Sequence, residues 1–479
     1  MLHRSRAVVN VLCLFVFCCT TSRPASAGDI VGWRTDGTGK YPSANPPTVW
    51  AKDKGIVWKT PLPSWSNASP ILVGDRLFVC SEPDTLLCIN AVDGTILWQK
   101  THGIYADIIT AEQAAQVKEA RAQGVELRKQ HAASQKELDA LGAQLKQRPD
   151  DAALKASLAE KKKECDRIRH VIEHDIDAVV SKWSQPPSHG DNGYSTPTPV
   201  SDGKYVYVLF TTGVAACYDL EGNRKWIKRV ENPAFCYGYS SSPLLCGDKL
   251  LVHLHSLTAL STATGQVLWN AQVSTRFGTS LIVTVGGEPV MLAPDGTLVR
   301  VSDGKIIAKG FADWDIVCCC SSPVVEAGVA YLTDKYFVRA VRLPVQIPET
   351  LKWEPLWESK RNATGKGWYY ASPAVHDGLV YLTGPHNTGT LTVLDAATGQ
   401  MVYERKLQFG GFCWLYPSVT LAGKHLFASS ETGVTFVFEP GREYKEIARN
   451  TLERFDSTPI FNGKRMYVRA RNNMYCIGE

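Results

Sequence analysis

Two groups of residues in this 479-residue sequence have types that could do chemistry. The first group consists of aromatic and polar side chains that occur shortly before short apolar stretches: Trp65, His189, Asp191, Tyr239, Arg276, Trp314, Asp315, Trp368 and Trp414. The second is a run of three cysteines, Cys318, Cys319 and Cys320. Aromatic walls with a few polar groups are typical of small-molecule sites. Adjacent thiols suggest a redox pair or ligands for a soft metal, and buried structural cysteine is the alternative.

The composition indicates a globular protein that is close to neutral. Hydrophobic residues make up 44% and charged residues 21%, and the formal net charge is +5. We therefore expect no nucleic-acid partner, since such proteins carry a strong basic surface. The sequence contains no G-x-S-x-G nucleophile motif, no P-loop and no C-x-x-C pair, so the common hydrolase, nucleotide-binding and zinc-ribbon signatures are absent.

The N-terminus has the pattern of a secretory signal peptide. Arg4 and Arg6 precede an apolar run over residues 7–19, and Ala25-Ser26-Ala27 matches a small-residue cleavage site. The apolar run is short for a bilayer span. We therefore expect a signal peptide over residues 1–27 and a mature chain, 28–479, without a transmembrane span. Its predicted location is the periplasm or cell envelope.

Eight copies of a short motif divide the mature chain. Six end in a small residue followed by proline and two are degenerate; they end at Pro70, Pro197, Pro243, Leu281, Pro323, Pro373, Pro417 and Pro459. From the second copy onward they are 38 to 50 residues apart, which suits one four-stranded propeller blade. Gly-Asp turns and alternating strands follow each copy. The sequence predicts an all-β, eight-bladed propeller, with seven blades as the alternative if the copy near Thr279 is not a blade.

Aromatic residues and the chain ends indicate how the blades pack and close. An aromatic residue follows a turn glycine by four positions in several units: Gly94 and Trp98, Gly222 and Trp226, Gly265 and Trp269, Gly399 and Tyr403. Rings at one repeated position are expected to pack against a neighbouring blade. The last unit has room for only three strands. The segment around Trp58 resembles the missing fourth strand, so the N-terminus is predicted to close the last blade.

Residues 106–185, between the first two blades, differ from the repeats. Thr110 and Gln113 match a capping box, a break follows at 148–151, and apolar residues then recur at helical spacing. This pattern predicts an antiparallel, coiled-coil-like helical hairpin with arms of about 45–55 Å. Such a rod is a candidate partner-binding arm, and a solvated decoration is the alternative.

Two segments carry a resemblance to a known family. Residues 259–269, ALSTATGQVLW, and 394–400, LDAATGQ, are similar to the repeat of quinoprotein dehydrogenases, the PQQ-type β-propeller. The same repeat occurs in BamB, the lipoprotein scaffold of outer-membrane protein assembly. The resemblance implies either a scaffold or a dehydrogenase that uses PQQ with Ca²⁺ beside a vicinal disulfide. No local motif here maps onto the Ca²⁺ ligands or the catalytic Asp of those enzymes.

The leading functional hypothesis is an exported, non-catalytic propeller that binds envelope or secreted proteins, as BamB does, through the helical hairpin. On this hypothesis no cofactor is expected. The alternatives are a PQQ-dependent oxidoreductase and a propeller that binds a carbohydrate or another ligand at the aromatic mouth of the channel. Because one fold serves many functions, the repeat alone does not decide among them.

Overall fold

The protein is described from a computed structural model. The described residues are 29–102, 105, 107–311, 319–349, 351–361, 368–385 and 388–479. The predicted signal peptide, 1–27, therefore lies outside the described residues, as do Trp314, Asp315 and Cys318. Within the described part of the chain, no helix is both long and apolar enough to cross a membrane.

Thirty-three short strands and one helical insertion make up the described chain. The strands before the insertion are β1 Lys40–Tyr41, β2 Ile56–Pro61, β3 Ile71–Val73, β4 Arg76–Ser81, β5 Thr85–Asn90 and β6 Ile96–Thr101. The helices are α1 Ala111–Gln147, α2 Ala152–Val171 and α3 Asp177–Val180, with a π-helical turn at Ile172–Ile176 and a 3₁₀ turn at Ser181–Trp183. The next strands are β7 Val200–Ser201, β8 Tyr205–Phe210, β9 Val214–Asp219, β10 Arg224–Arg229, β11 Leu244–Cys246, β12 Lys249–His253, β13 Leu257–Ser261 and β14 Val267–Ala271.

The remaining strands lie between Leu281 and Ile477. They are β15 Leu281–Val285, β16 Glu288–Leu292, β17 Leu298–Arg300, β18 Ile306–Ala308, β19 Val324–Glu326, β20 Val329–Thr333, β21 Phe337–Arg342 and β22 Pro355–Lys360. The last group is β23 Ala374–His376, β24 Leu379–Thr383, β25 Thr390–Asp395, β26 Met401–Lys406, β27 Thr420–Ala422, β28 His425–Ser429, β29 Val434–Glu439, β30 Lys445–Thr451, β31 Ile460–Asn462, β32 Arg465–Arg469 and β33 Asn473–Ile477.

The strands form eight antiparallel sheets, which are the blades of a propeller. Blades 1 to 7 each contain four consecutive strands, β3–β6 through β27–β30, and β1 adds in parallel to β27. Blade 8 contains β31, β32 and β33, and β2 pairs antiparallel with β33 as its outer strand. The predicted eight-bladed propeller with N-terminal closure is therefore confirmed. The pairing of β2 covers an edge of β33 that would otherwise be open to another chain.

A ring of hydrogen bonds joins the innermost ends of the eight blades. In each blade the backbone N–H of one Ser or Thr donates to the side-chain hydroxyl of the equivalent residue in the next blade, at 2.9–3.1 Å. The members, in order, are Ser69, Thr198, Ser242, Thr279, Ser322, Ser372, Ser418 and Thr458. The last bond runs from Thr458 N to Ser69 Oγ, which closes the circle.

The ring corrects three motif positions predicted from the sequence. In blade 2 the ring residue is Thr198, before Pro199, so the motif ending at Pro197 is two residues too early. In blade 7 it is Ser418, so the motif ending at Pro417 is also two residues too early. In blade 4 it is Thr279, so the motif ending at Leu281 is one residue too late. The physical reason is that the position requires a hydroxyl acceptor for the neighbouring N–H rather than a following proline. Because Thr279 is a ring member, the seven-bladed alternative is ruled out.

Tryptophans hold the outer parts of adjacent blades together. Each of five indoles lies against a turn glycine of the next blade and donates from Nε1 to a carbonyl in that blade, at 2.7–3.1 Å: Trp58, Trp98, Trp226, Trp269 and Trp357. At Gly222, for example, a Cβ atom would lie 2.8 Å from the Trp98 ring, and φ is +85°. Only glycine fits both the close approach and the backbone angle.

The segment before β2 spans the channel beside the ring. Ile30 pairs with Leu72 of blade 1, and Trp33 Nε1 donates to the ring hydroxyl of Ser322 in blade 5 at 3.1 Å. The buried Arg34 donates to Pro373 O and to Val419 O, in blades 6 and 7, at 2.7 and 2.9 Å. This segment therefore ties together blades on opposite sides of the channel.

The insertion is an antiparallel helical hairpin, as predicted. Thr110 caps α1 in a complete capping box with Gln113, and Asp151 caps α2 through its bond from Leu154 N. The helices approach closely near the base, where a Cβ on Gly124 would meet Ile176 Cγ2 at 2.7 Å. The returning arm contains a π-helical turn at Ile172–Ile176, which the sequence did not indicate.

The ring generates a first prediction. In Ser372→Ala the Ser322 N–H loses its acceptor inside a buried site, which should lower the free energy of unfolding by about 1–3 kcal/mol. Ser372→Thr keeps the hydroxyl, as three other blades do, and serves as the matched control. Equilibrium urea denaturation measures both. Equal stability of the alanine variant and the parent would contradict a structural role for the ring.

Candidate functional site

The ring forms the floor of a cavity at one mouth of the channel. Along an extended chain, residues two positions apart point the same way. The residues two positions before each ring member therefore form a second tier, and all eight line one cavity of about 380 Å³: Asn67, Thr196, Ser240, Phe277, Cys320, Tyr370, Tyr416 and Asp456. Trp33 also lines it, where its indole bonds to the ring.

The second tier is divided into an apolar arc and a polar arc. Blades 4 to 7 contribute Phe277, Cys320, Tyr370 and Tyr416, and Trp368 and Trp414 extend this arc outward. Blades 8, 1, 2 and 3 contribute Asp456, Asn67, Thr196 and Ser240. The cavity thus has one aromatic wall and one wall of hydrogen-bonding groups, which suits an amphipathic ligand.

The aromatic wall is built of rings that support one another. Trp414 and Tyr416 are stacked, with centroids 5.9 Å apart and planes inclined by 8°. The ring of Tyr370 lies 5.1 Å from that of Tyr416 and 6.0 Å from that of Trp414, and Trp368 is 6.0 Å from Tyr370. Such packing fixes the orientation of each ring at little entropic cost.

Asp456 dominates the electrostatics of the polar wall. Its side chain is 7% exposed, its Oδ2 lies 3.7 Å from Arg454 Nε, and its Oδ1 has no hydrogen-bond partner among the described residues. Arg454 is instead bound closely to Glu431, at 2.6 Å. Burial raises the pKa of Asp456 to about 6, against the opposing effect of Arg454.

The loop that returns from the hairpin forms a lip of the cavity. Asn67 Nδ2 donates to Asp191 O at 2.7 Å, and Asn192 Nδ2 donates to Tyr237 O at 3.0 Å. The next residues are anchored by Glu82, whose Oε1 accepts from the N–H groups of Tyr194 and Ser195 and from the Ser195 hydroxyl. Burial raises the pKa of Glu82, although these hydrogen bonds favour its ionised form.

The structure brings together some of the residues predicted from the sequence and separates others. His189, Asp191, Trp368, Trp414 and Cys320 line the cavity. Three predicted residues are not among its lining residues; these are Trp65, Tyr239 and Arg276.

Each of these three side chains has another packing environment. The Arg471 guanidinium lies 5.2 Å from the Trp65 ring, and that of Arg276 lies 3.6 Å from the Phe235 ring. Tyr239 is buried with the apolar residues of blades 2 and 3. Cys319 is buried too, and a redox role for the cysteine run stays a prediction.

The sequence reasoning missed several lining residues, above all Trp33, Asn67, Tyr416 and Asp456. A usable signal existed for three of them. Asn67, Tyr416 and Asp456 each stand two positions before a ring hydroxyl, and locating the hydroxyl in every repeat finds them. Trp33 lies outside the repeats and has no such signal.

The cavity lining offers few groups that could hold PQQ or Ca²⁺. Within the described residues, no group of three His, Cys, Asp or Glu side chains could hold a metal ion. PQQ is a tricarboxylate, yet the described lining residues include two aspartates and neither lysine nor arginine. The described side chains therefore do not fit this cofactor pair, and no reaction step is derived through it.

A family model describes part of the chain. The model for the outer membrane protein assembly factor BamB matches residues 42–132 and 171–312, slightly less than half of the sequence. The unmatched gap between the two ranges falls in the helical hairpin. The eight blades and their repeat, with this match, decide the type of protein. The chain is a PQQ-like repeat β-propeller protein. No curated protein matches its sequence.

Solved structures similar to this PQQ-like propeller include BamB and two dehydrogenases. BamB from Moraxella catarrhalis is 11% identical, with a TM-score of 0.52 over 88% of this chain and 97% of that one. A europium-containing methanol dehydrogenase is 11% identical, with a TM-score of 0.56 over 94% and 98%. Quinohemoprotein alcohol dehydrogenase from Comamonas testosteroni is 10% identical, with a TM-score of 0.57 over 95% and 81%. At such identities the similarity establishes the fold alone.

The buried carboxyl of this propeller predicts a pH-dependent stability. Folding raises the pKa of the Asp456 carboxyl from 3.8 to about 6. Ionisation of this carboxyl therefore lowers the free energy of unfolding as the pH rises through this range. Asp456→Asn should therefore increase the free energy of unfolding at pH 7.5, by up to about 3 kcal/mol, and change it little at pH 4. Denaturant titrations at the two pH values measure this. The exposed Asp150→Asn is the control, and a variant destabilised at pH 7.5 would contradict the assignment.

Proposed function

We propose that the chain is a non-catalytic scaffold of the cell envelope that holds a protein partner through its helical hairpin. The proposal follows the match to the model of an outer-membrane assembly factor and the predicted signal peptide. The observation that carries it is the hairpin itself, a long arm whose surface is available to a partner. The propeller serves as the rigid base.

Most of the arm faces solvent. Only four of the 37 residues of α1 are buried, namely Val117, Ala120, Gly124 and Ser134. At 1.5 Å per residue, α1 is about 55 Å long. Beyond the base the two helices are joined by polar contacts, such as Lys161 with Glu137 at 2.7 Å. An element of this length with so little of its own surface buried is suited to binding another molecule.

The base of the arm is fixed to the propeller. The Arg229 guanidinium lies 4.9 Å from the Tyr105 ring and 5.1 Å from the Trp183 ring, so one cation of blade 2 contacts both ends of the insertion. Tyr105 also donates to Thr212 O at 3.0 Å, and Arg224 pairs with Asp107. The arm therefore projects in a defined direction, which lowers the entropic cost of capturing a partner.

Site-specific photo-crosslinking tests the scaffold proposal. A photoreactive residue at Val125, which is 71% exposed on α1, should give a discrete protein adduct in intact cells. The same residue at Val345, 82% exposed near the outer edge of blade 5, is the matched control and should give none. We expect more adduct at Val125 than at Val345 because the partner would bind the arm and not every exposed surface.

A shortened hairpin makes this experiment decisive. Ser134 Oγ and Glu164 Oε1 lie 3.2 Å apart, so residues 135–163 can be replaced by a short glycine turn without disturbing the base. The adduct at Val125 should be lost or strongly reduced if the partner binds along the arm. Equal adducts at Val125 and Val345, or no adduct at either, would refute the proposal.

The enzymatic alternative has its own test. Calorimetric titration of the purified protein with PQQ and Ca²⁺ should give no saturable heat, because the described lining supplies neither cations for the three carboxylates nor a cluster of metal ligands. Dye-linked oxidation of alcohols should remain at background. Saturable binding with turnover would make the protein a quinoprotein dehydrogenase and would overturn the non-catalytic assignment.

A further inference from the structure

We infer that the cavity at the channel mouth binds an organic ammonium ion, with the N–H donors directed at Asp456 and Asn67 and the apolar body against the aromatic wall. This inference goes beyond the scaffold proposal and does not depend on it. It rests on the charge of the lining, on two buried acceptors that have no hydrogen-bond partner among the described residues, and on the cluster of rings beside them.

The charge of the cavity favours a cation. The described lining residues include Asp191 and Asp456 but no lysine or arginine. Behind this lining, Arg454 is paired with Glu431 at 2.6 Å, and its Nε is 3.7 Å from Asp456 Oδ2. Arg454 is thus shared with a second carboxylate, and the described lining itself carries two carboxylates and no cationic side chain, which favours a cationic ligand.

Two buried oxygen atoms define where the donors belong. Asp456 Oδ1 and Asn67 Oδ1 are both buried and have no hydrogen-bond partner among the described residues. They occupy equivalent positions in adjacent blades 8 and 1, two residues before Thr458 and Ser69, whose bond closes the ring. Carboxylate and amide oxygens accept only, so their partner must supply hydrogen atoms. A protonated amine supplies both these hydrogens and the compensating charge.

The aromatic wall suits the rest of such a ligand. The rings of Tyr370, Trp414 and Tyr416 form one cluster in blades 6 and 7, beside Asp456 of blade 8 in the same cavity. Aromatic faces attract cations and also cover apolar groups. An amine with a short apolar or aromatic body can therefore pack against the rings and donate hydrogen bonds to the polar wall at the same time. An anion or a neutral polyol can make only one of these two interactions.

Asp456 is retained in the native state at a cost to stability. Its carboxyl is buried and incompletely paired, and burial raises its pKa to about 6. The charged groups that act on it are Arg454, Glu431, Arg471, Asp191 and the buried Arg469. None of these groups fully compensates the buried charge of Asp456. A bound ammonium ion would do so.

Calorimetry with three ligands of matched shape tests the inference on the purified protein. The probes are 2-phenylethylammonium, neutral 2-phenylethanol and anionic 3-phenylpropionate. The ammonium ion should bind at least tenfold more tightly than the alcohol, and 3-phenylpropionate should bind most weakly. Comparable affinity for the ammonium ion and the alcohol, or no saturable binding of the ammonium ion, would overturn the inference.

Variants locate the site. Asp456→Asn should weaken ammonium binding at least tenfold and leave the alcohol unaffected, and it should remain folded because it removes a buried charge. Trp414→Leu should weaken both ligands, and the exposed Asp150→Asn should change neither. Unaltered ammonium affinity in Asp456→Asn would overturn the inference.

Two further measurements define the ligand. Acidification from pH 7.5 to pH 5 should weaken ammonium binding, an effect lost in Asp456→Asn and kept in the His189→Gln control. Nα-acetyl-lysine methylamide distinguishes the sources of the ammonium group. Tighter binding of this derivative indicates a lysine side chain of a protein, and weaker binding indicates a free amine. Loss of the pH effect in His189→Gln, with no loss in Asp456→Asn, would contradict the role of Asp456.

Discussion

The hydrogen-bonded ring of Ser and Thr residues is the constraint on which the rest of the molecule depends. Each bond joins a backbone N–H of one blade to a hydroxyl of the next, and consecutive members from Thr198 to Thr458 are 37 to 50 residues apart in sequence. The ring fixes the register of eight inner strands about one axis. Because the register is fixed, side chains two residues before each hydroxyl converge on one cavity.

The repeat made much of the fold predictable. The eight motif copies with their turn glycines were enough to predict eight blades, and the short last unit was enough to predict closure by the strand that contains Trp58. The hairpin was also predictable from the sequence, because the Thr110 capping box and the helical spacing of apolar residues are local signals. These features repeat or act within a few residues, so a single sequence displays them.

Other features depend on contacts between distant residues and were not predictable in the same way. The blade 2 motif offers two Thr-Pro steps, and only the hydrogen bond to Ser242 selects Thr198. The segment with Trp33 and Arg34 spans the channel through contacts with at least four blades. Asp456 becomes notable only when its burial and its incomplete pairing are known, so its acid side chain alone carried no signal.

The hairpin and the cavity are physically connected. The chain that leaves the arm forms the lip at Asp191 and Asn192, and the buried Glu82 anchors it to blade 1. A partner on the arm and a ligand in the cavity would therefore act on the same loop. The hairpin and the cavity would thus act together in a propeller whose described residues include no assembled Ca²⁺ site.

A crystal structure of the protein with 2-phenylethylammonium tests the central claim most directly. The account predicts the ligand nitrogen within hydrogen-bond distance of Asp456 Oδ1, with the phenyl ring against Trp414 and Tyr416. A ligand bound only outside the channel mouth, or bound there with its nitrogen directed away from Asp456, would contradict the account.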